Sequence, residues 1–326
     1  MKERGLLAFT TGALLLIGLI ACMRPEKPWP RPTGGETATI TAHLGPEYDT
    51  VAFVSLTLGQ VHKVPRMAWD LEIHSVEGGY QVWTNAAMYA FAAVMDSATW
   101  ENVSDASGIQ GWRCDLPDTA ALPVLRYGEQ MTFILDRDKG GIFYTTVANR
   151  YRKLWLMATE QDIEIKAYTL TGEPMGEWRI LRLPEPQYLS LDRSGQVVSV
   201  LPPWKVELML TRYVHYFPDQ PEAFRYYPVV GALVPKGLRS AVVNAAQVTF
   251  EDFTYANLSQ VVWKTQRDAI GYDWKRYDFD TGTYLIDYSR YYALEVETEQ
   301  YYKLQFIDFY DESGRKGSVK VRYSAL

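Results

Sequence analysis

Apolar and polar residues alternate with a period of two along much of this chain, and this alternation restricts its fold more than any other feature. It occurs in residues 38–44 (ATITAHL), 162–168, 195–201, 283–287, 301–309 and 317–323. Successive side chains of a β-strand point to opposite faces, so these segments are expected to form strands. Turn signals separate strands at 138–141 (DKGG), 171–174 (TGEP), 280–282 (DTG) and 312–314 (ESG). The pattern therefore predicts an all-β fold of antiparallel sheets.

An internal repeat appears at an offset of 135 residues, where 53–69 (FVSLTLGQVHKVPRMAW) aligns with 188–204 (YLSLDRSGQVVSVLPPW). The identical pairs are Ser55 and Ser190, Leu56 and Leu191, Trp69 and Trp204, and Glu72 and Glu207. Each copy has a strand, a turn containing Gly, a second strand and a Trp before a third strand. Chance identity is the alternative, but the matched polarity favours two related β-meander subdomains, 38–185 and 186–326. We expect the two Trp side chains to be buried at equivalent places.

The N-terminal residues predict export and lipidation. Charged residues at 2–4 precede an apolar run at 6–21, which is the pattern of a signal peptide and is too short for a transmembrane helix. The run ends in Leu19-Ile20-Ala21-Cys22, which matches the site of a lipoprotein signal peptidase, so Cys22 is the expected lipid anchor. An ordinary signal peptide is the alternative. Residues 22–37 are rich in Pro and Gly and predict a tether between lipid and domain.

Charge and cysteine content exclude several function classes. The formal net charge is −6, and no basic patch is evident, so nucleic-acid binding is not expected. Cys114 is the second of two cysteines, and with Cys22 acylated it has no partner for a disulfide. A small buried residue is the favoured interpretation of Cys114, and a reactive thiol is the alternative.

Catalytic motifs are absent from the sequence. It has no GxSxG, HExxH, P-loop or GxGxxG pattern, and its four histidines, His43, His62, His74 and His215, do not pair at metal-ligand spacing. Asp278, Asp280 and Gly282 resemble the start of a calcium loop, but the twelfth position is Ser289, so a hairpin turn is the better explanation. The sequence therefore predicts a binding protein and not an enzyme.

Tyrosine is the side chain that most suggests binding. A dense series runs from Tyr272 to Tyr310. Cross-strand packing is expected for most of these side chains, whereas a few could form a face that stacks a planar ligand or a sugar.

Four blocks in the second half resemble the HmuY family of envelope lipoproteins: 204–217 (WKVELMLTRYVHYF), 226–233 (YYPVVGAL), 269–287 (AIGYDWKRYDFDTGTYLID) and 301–323. The resemblance is strongest over 188–326, and the first half is similar to the N-terminal extension of longer members. It implies an all-β fold, a lipid anchor and capture of haem for a TonB-dependent outer-membrane receptor. It also implies an outer-membrane location, on the cell surface or the periplasmic face.

The sequence departs from the family's bis-histidine haem site. Residues 231–326 contain no His, Met or Cys, and the stretch that matches the second ligand is 277–282 (YDFDTG). Iron could then be held by tyrosinate, as in some haem proteins, or by His215 or Met209. The candidate ligand-binding residues are Met209, Tyr213, His215, Tyr272, Trp274 and Tyr277.

Two function classes remain open. The first is capture of haem, a porphyrin or another planar ligand, which predicts a cleft lined by several of these candidates. The second is a structural, adhesive or carbohydrate-binding surface lipoprotein, which predicts a flat exposed aromatic strip.

Overall fold

A computed structural model describes residues 35–192 and 197–326, which belong to one compact unit. The predicted signal peptide, Cys22 and all of the predicted tether before residue 35 lie outside the described residues. Among the described residues, no helix is long and apolar enough to cross a membrane.

Four sheets and a hairpin make up the fold, and the named strand pairs among the described residues are all antiparallel. In spatial order, sheet I contains β1 (Ala38–His43), β21 (Lys316–Ala325), β20 (Gln300–Tyr310), β19 (Arg290–Glu297) and β16 (Arg239–Asn244). Sheet II contains β11 (Pro174–Leu181), β10 (Asp162–Tyr168), β9 (Tyr151–Ala158), β8 (Gln130–Asp136) and β6 (Phe91–Met95). The predicted all-β, antiparallel fold class is confirmed.

Sheet III contains β13 (Val197–Val198), β12 (Gln187–Leu189), β4 (Leu71–Val76), β5 (Gly79–Thr84) and β7 (Leu125–Arg126). Sheet IV contains β15 (Tyr226–Leu233), β14 (Leu208–Tyr216), β2 (Thr50–Ser55) and β3 (Gln60–Pro65). The hairpin is formed by β17 (Lys275–Asp278) and β18 (Thr283–Ile286). Short α-helices lie at Ser97–Asn102 and Val147–Arg150, and 3₁₀ turns at Arg66–Ala68, Ala86–Met88, Glu222–Phe224 and Tyr255–Gln260.

Alternation along the strands builds two main cores. In β10, Ile163, Ile165 and Ala167 are buried on one face, and they belong to a cluster between sheets II and III. A second cluster packs sheet I against sheet IV. Each fully buried aliphatic side chain contributes about 1.5–3 kcal/mol, so the period-two pattern also accounts for much of the stability.

The two copies of the sequence repeat interlock. The first strand of copy one, β2, pairs with the third strand of copy two, β14, and the first strand of copy two, β12, pairs with β4. Sheets I, III and IV consequently combine strands from both sides of residue 185. Exchange of this kind pairs strand edges that an isolated three-stranded meander would leave open. Trp69 is buried and Trp204 partly buried in the same cluster, so they share one core instead of occupying two equivalent ones.

A buried ionic network joins residues from both sides of residue 185. The guanidinium of Arg137, 1% exposed, donates two hydrogen bonds to Asp70, two to Asp192 and one to the hydroxyl of Tyr144. These bonds connect Asp70, which directly precedes β4, to the turn that follows β12. Every charge in the centre of the network is therefore paired, as burial requires.

Candidate functional site

Strand β14 contributes two side chains to the candidate site. Tyr213 and His215 are two residues apart on one strand, so they point to the same face of sheet IV. Tyr213 is buried and His215 is half-exposed, which places the phenol deeper than the imidazole.

The loop 261–273 forms the opposite wall and is fixed to β15 through its backbone. Gly271 donates to and accepts from Ala232, with distances of 3.1 and 2.8 Å, and Val234 donates to the carbonyl of Arg267 at 2.7 Å. A Cβ atom at Gly231 would lie 2.3 Å from the carbonyl oxygen of Gly271. The loop can approach the sheet this closely because residue 231 has no side chain.

A cavity of about 840 Å³ lies between the strand and the loop. Its volume falls in the range of about 300–1,000 Å³ that is usual for small-molecule sites. The lining combines aromatic rings with both signs of charge, and its members are Tyr213, His215, Val242, Trp263, Lys264, Thr265, Gln266, Asp268, Ala269, Gly271, Tyr272, Asp273 and Arg290.

His215 lies at the centre of an aromatic group at the cavity. Its ring centroid is 5.1 Å from that of Tyr272 and 4.7 Å from that of Phe217, both in edge-to-face arrangements. Its Nδ1 atom is 3.5 Å from Oδ2 of Asp268. This contact is longer than a hydrogen bond, so it does not fix the tautomer of the imidazole.

The hydroxyl of Tyr213 has no hydrogen-bond partner among the described residues, although the side chain is only 3% exposed. Burial raises the pKa of this phenol, and the carboxylate of Asp268 raises it further. The pKa of Tyr272 is raised by burial and by Asp273 and Asp268. Since buried polar groups are normally paired, an unpaired hydroxyl at a cavity wall is suited to receive a ligand.

Gly271 keeps the floor of the cavity open. It has φ +68°, and a Cβ atom there would lie 2.9 Å from the carbonyl oxygen of Asp268, 3.4 Å from Oδ1 of Asp273 and 3.5 Å from the hydroxyl of Tyr213. Three oxygens thus converge where a side chain would be.

Arg290 neutralises one side of the rim. Its guanidinium bonds to Asp287 at 2.7 Å and to Asp273 at 3.1 Å. Asp268 has no ion-pair partner other than His215 among the described residues, so it is the acidic group most available to a ligand.

The structure brings together three of the six candidate residues, Tyr213, His215 and Tyr272. Trp274 is 1% exposed and stacks on Phe306 in the main core at 4.2 Å. Tyr277 is 43% exposed on the β17–β18 hairpin, and Met209 packs in the cluster that contains Trp69. Neither lines the cavity. In the sequence, an aromatic residue of a ligand-binding face cannot be told from one of the core, and the indole of Trp274 packs in the core.

Sequence reasoning missed Asp268, Lys264 and Arg290. The acidic residue lies in an irregular loop, where a solvated carboxylate is the usual expectation. The available signal was that Asp268 lies four residues before Tyr272 and directly before the family-like block 269–287. The predicted hairpin at 280–282 is present, with Gly282 at φ +69°.

A family model described as HmuY protein matches residues 47–323. Among solved structures, apo PinO from Porphyromonas gingivitis aligns at 9% identity and a TM-score of 0.27, covering 89% of this chain and 97% of that chain. The apo HmuY analog of Tannerella forsythia aligns at 11% identity and a TM-score of 0.24, covering 90% and 98%. Neither similarity is high enough to transfer a ligand. No curated protein matches the chain.

Proposed function

Because this chain belongs to the HmuY family, we propose that it is a lipid-anchored binding protein of the bacterial envelope, and not an enzyme, that captures haem or another planar ligand in the cavity between β14 and loop 261–273. The observation that supports this proposal most directly is that Tyr213, His215 and Tyr272 line one cavity of sufficient volume. Its partner for delivery would be a TonB-dependent receptor of the outer membrane.

The residues present fit a haem group. Imidazole and phenolate are both established axial ligands of haem iron, and the cavity contains one histidine with two tyrosines. His215 would hold the group through its imidazole, beside which the rings of Tyr272 and Phe217 pack. A bound porphyrin would supply the iron chemistry, and this chain's residues would bind it, orient it and exclude water.

A haem titration of the full-length protein in detergent, followed by absorbance in both oxidation states, tests this function. We expect saturable binding at micromolar haem, weakened by His215→Ala and unchanged by Tyr277→Phe, whose phenol lies outside the cavity. Ligation by phenolate predicts weaker binding after dithionite reduction, because an anionic oxygen stabilises Fe(III) over Fe(II), whereas imidazole ligation resists reduction. No binding, or equal binding in all variants, would contradict the proposal.

The membrane anchor needs a separate measurement. Cys22 is the proposed acylated N-terminus, since Leu-Ile-Ala-Cys ends the apolar run. Two or three acyl chains at about 0.8 kcal/mol per buried methylene would hold the domain at a membrane surface. Mass spectrometry of the membrane form should find a blocked, lipidated Cys22, and an unmodified mature N-terminus elsewhere would exclude it.

One observation favours the structural or carbohydrate-binding class as a second candidate. The β17–β18 hairpin exposes Phe279 (88%) and Tyr277 (43%), whose ring centroids are 5.1 Å apart. Exposed aromatic faces of this kind can stack on sugar rings. Glycan binding that is lost in Phe279→Ala, together with no haem binding, would favour this second function.

A further inference from the structure

The cavity contains a set of side chains with the chemistry of a metal site. Tyr213, His215, Asp268 and Tyr272 contribute two phenols, one imidazole and one carboxylate to the same lining. Among the described residues, none of these four side chains forms an ion pair with a residue outside the group. The set goes beyond the requirements of porphyrin binding, in which the protein supplies only one or two axial ligands.

The spacing of His215 and Asp268 suits two ligands on one ion. Their Nδ1 and Oδ2 atoms are 3.5 Å apart, which is long for a hydrogen bond. Two metal bonds of about 2.1 Å separate their ligand atoms by about 3.0 Å at a right angle and by about 3.4 Å at a tetrahedral angle. An ion between these atoms therefore needs little movement of either side chain.

The buried phenol supplies independent support. The Tyr213 hydroxyl is unpaired within the described residues and lies 3.5 Å from the place that a Cβ atom would take on Gly271, which also lines the cavity. A buried hydroxyl without a partner is destabilising, and coordination to an ion would remove that cost. Tyr272 borders the imidazole, with ring centroids 5.1 Å apart, so its phenol belongs to the same region.

The electrostatic potential of this group favours a cation. The carboxylates of Asp268 and Asp273 both line the cavity. Arg290 is occupied by Asp273 and Asp287. Lys264 also lines the cavity and opposes a cation, so the anionic ligands must outweigh its charge.

The chemical types of the donor atoms in this group favour a particular class of metal ion. Among the described residues, no group of three or more His, Cys, Asp or Glu side chains could hold a metal ion, so a site here has to use phenol oxygens. Anionic oxygen donors stabilise a high cationic charge. Two phenolates and one carboxylate carry three negative charges, which balance a trivalent ion, and imidazole also suits iron.

We propose that this cavity binds ferric iron directly, without a porphyrin, through the phenolates of Tyr213 and Tyr272, the carboxylate of Asp268 and the imidazole of His215. On binding, the two phenols release their protons to solvent and the iron exchanges chelator oxygens for protein ligands. Iron stays ferric throughout, and no electron is transferred. This inference does not depend on haem capture.

Titration of the full-length, porphyrin-free protein with ferric nitrilotriacetate tests the inference. Phenolate bound to Fe(III) produces a visible charge-transfer band that the free chelate lacks. We expect a band that saturates at one iron per chain, is lost in the Tyr213→Phe,Tyr272→Phe double variant and is at least halved in each single variant. Tyr277→Phe should leave it unchanged. Gallium(III), which has no such band, should compete for the site.

The result that overturns the inference is the absence of the band in the wild type, or a band that persists in the double variant. Haem titration of the same samples separates the two proposals. Haem binding without the ferric band rejects only direct iron binding, and the band without haem binding rejects only haem capture. Circular dichroism and thermal unfolding of the variants show whether any loss comes from misfolding.

Discussion

Oδ2 of Asp70 lies 2.7 Å from the backbone nitrogen of Leu191, which is 121 residues later in the chain. The other copy of the repeat makes a corresponding contact, because Oε2 of Glu207 accepts from the backbone nitrogens of Leu56 and Thr57 at 2.6 and 2.9 Å. In each case an acid next to the third strand of one copy holds the turn after the first strand of the other. The two contacts form a reciprocal clamp between the copies, although its acids are not equivalent in the repeat, where Asp70 aligns with Lys205 and Glu207 with Glu72.

Replacing Glu207 with Gln should destabilise the protein by about 1–3 kcal/mol, because buried backbone donors lose an ionised acceptor. Glu207 is buried, and its second oxygen accepts from the Thr57 hydroxyl. Glu297→Gln is the matched control, since Glu297 forms a largely exposed pair with Lys205. Urea unfolding of both variants measures the difference, and equal losses would contradict the clamp.

Replacing Arg137 with Met should lower the free energy of unfolding by about 3–5 kcal/mol, because it leaves the buried carboxylate of Asp70 without its cation. Arg315→Met, at an exposed pair with Asp311, should change stability by less than about 1 kcal/mol. Chemical denaturation checks both values. A small effect at Arg137 would mean that Asp70 finds another partner.

Tyr213→Phe should stabilise the protein by about 1 kcal/mol while it weakens ligand binding, since it removes an unpaired buried hydroxyl and leaves the ring in place. Tyr291→Phe is the opposite case, because its hydroxyl donates to the carbonyls of Val248 and Thr249 at 3.0 and 3.2 Å. We expect Tyr291→Phe to lower the free energy of unfolding by about 1 kcal/mol. Loss of stability in both variants would show that the Tyr213 hydroxyl is paired.

Lys275 should contribute a rise in stability with pH above neutrality, which the difference between wild type and Lys275→Met separates from the opposite effect of Cys114, whose pKa is raised by burial. Burial lowers the pKa of the Lys275 ammonium to about 7, whereas the unfolded chain titrates near 10.4. Between these values the unfolded state binds one more proton, so the free energy of unfolding increases by about 1.4 kcal/mol per pH unit. Lys275→Met should remove this slope between pH 7 and 9.5.

Lys320→Met is the control for that experiment, since this lysine is exposed on β21. Thermal or urea unfolding across the pH range should give the wild-type slope for Lys320→Met. An unchanged slope in Lys275→Met would show that the ammonium stays charged, held by the rings of Trp274 and Phe309 at 4.3 and 4.8 Å.

Strand positions were predictable because the period-two pattern is a local property. The segment 162–168 coincides with β10, and 301–309 lies within β20. The reciprocal pairing of the two copies was not predictable, since a strand's alternation fixes which face is buried but not which edge it joins.

The candidate site was predictable only in part, for a related reason. Tyr213 and His215 were candidates from the family-like block 204–217, and Tyr272 was a candidate from the block 269–287. Trp274 was wrong as a lining residue, because aromatic side chains of cores and of binding faces have the same local pattern. Asp268 was missed because only the backbone pairing of Gly271 with Ala232 brings its loop to the strand.

The pairing of β1 with β21 has a consequence for how the chain folds. Ala38 aligns with Tyr323 and His43 with Ser318, so the first strand joins the last one. Closing so long a loop is entropically costly, and native contacts of such wide sequence separation give a high contact order and slow folding. Sheet I cannot be completed until the final strand is available. During synthesis the edge of β1 would therefore stay unpaired and exposed to other chains until β21 has been made.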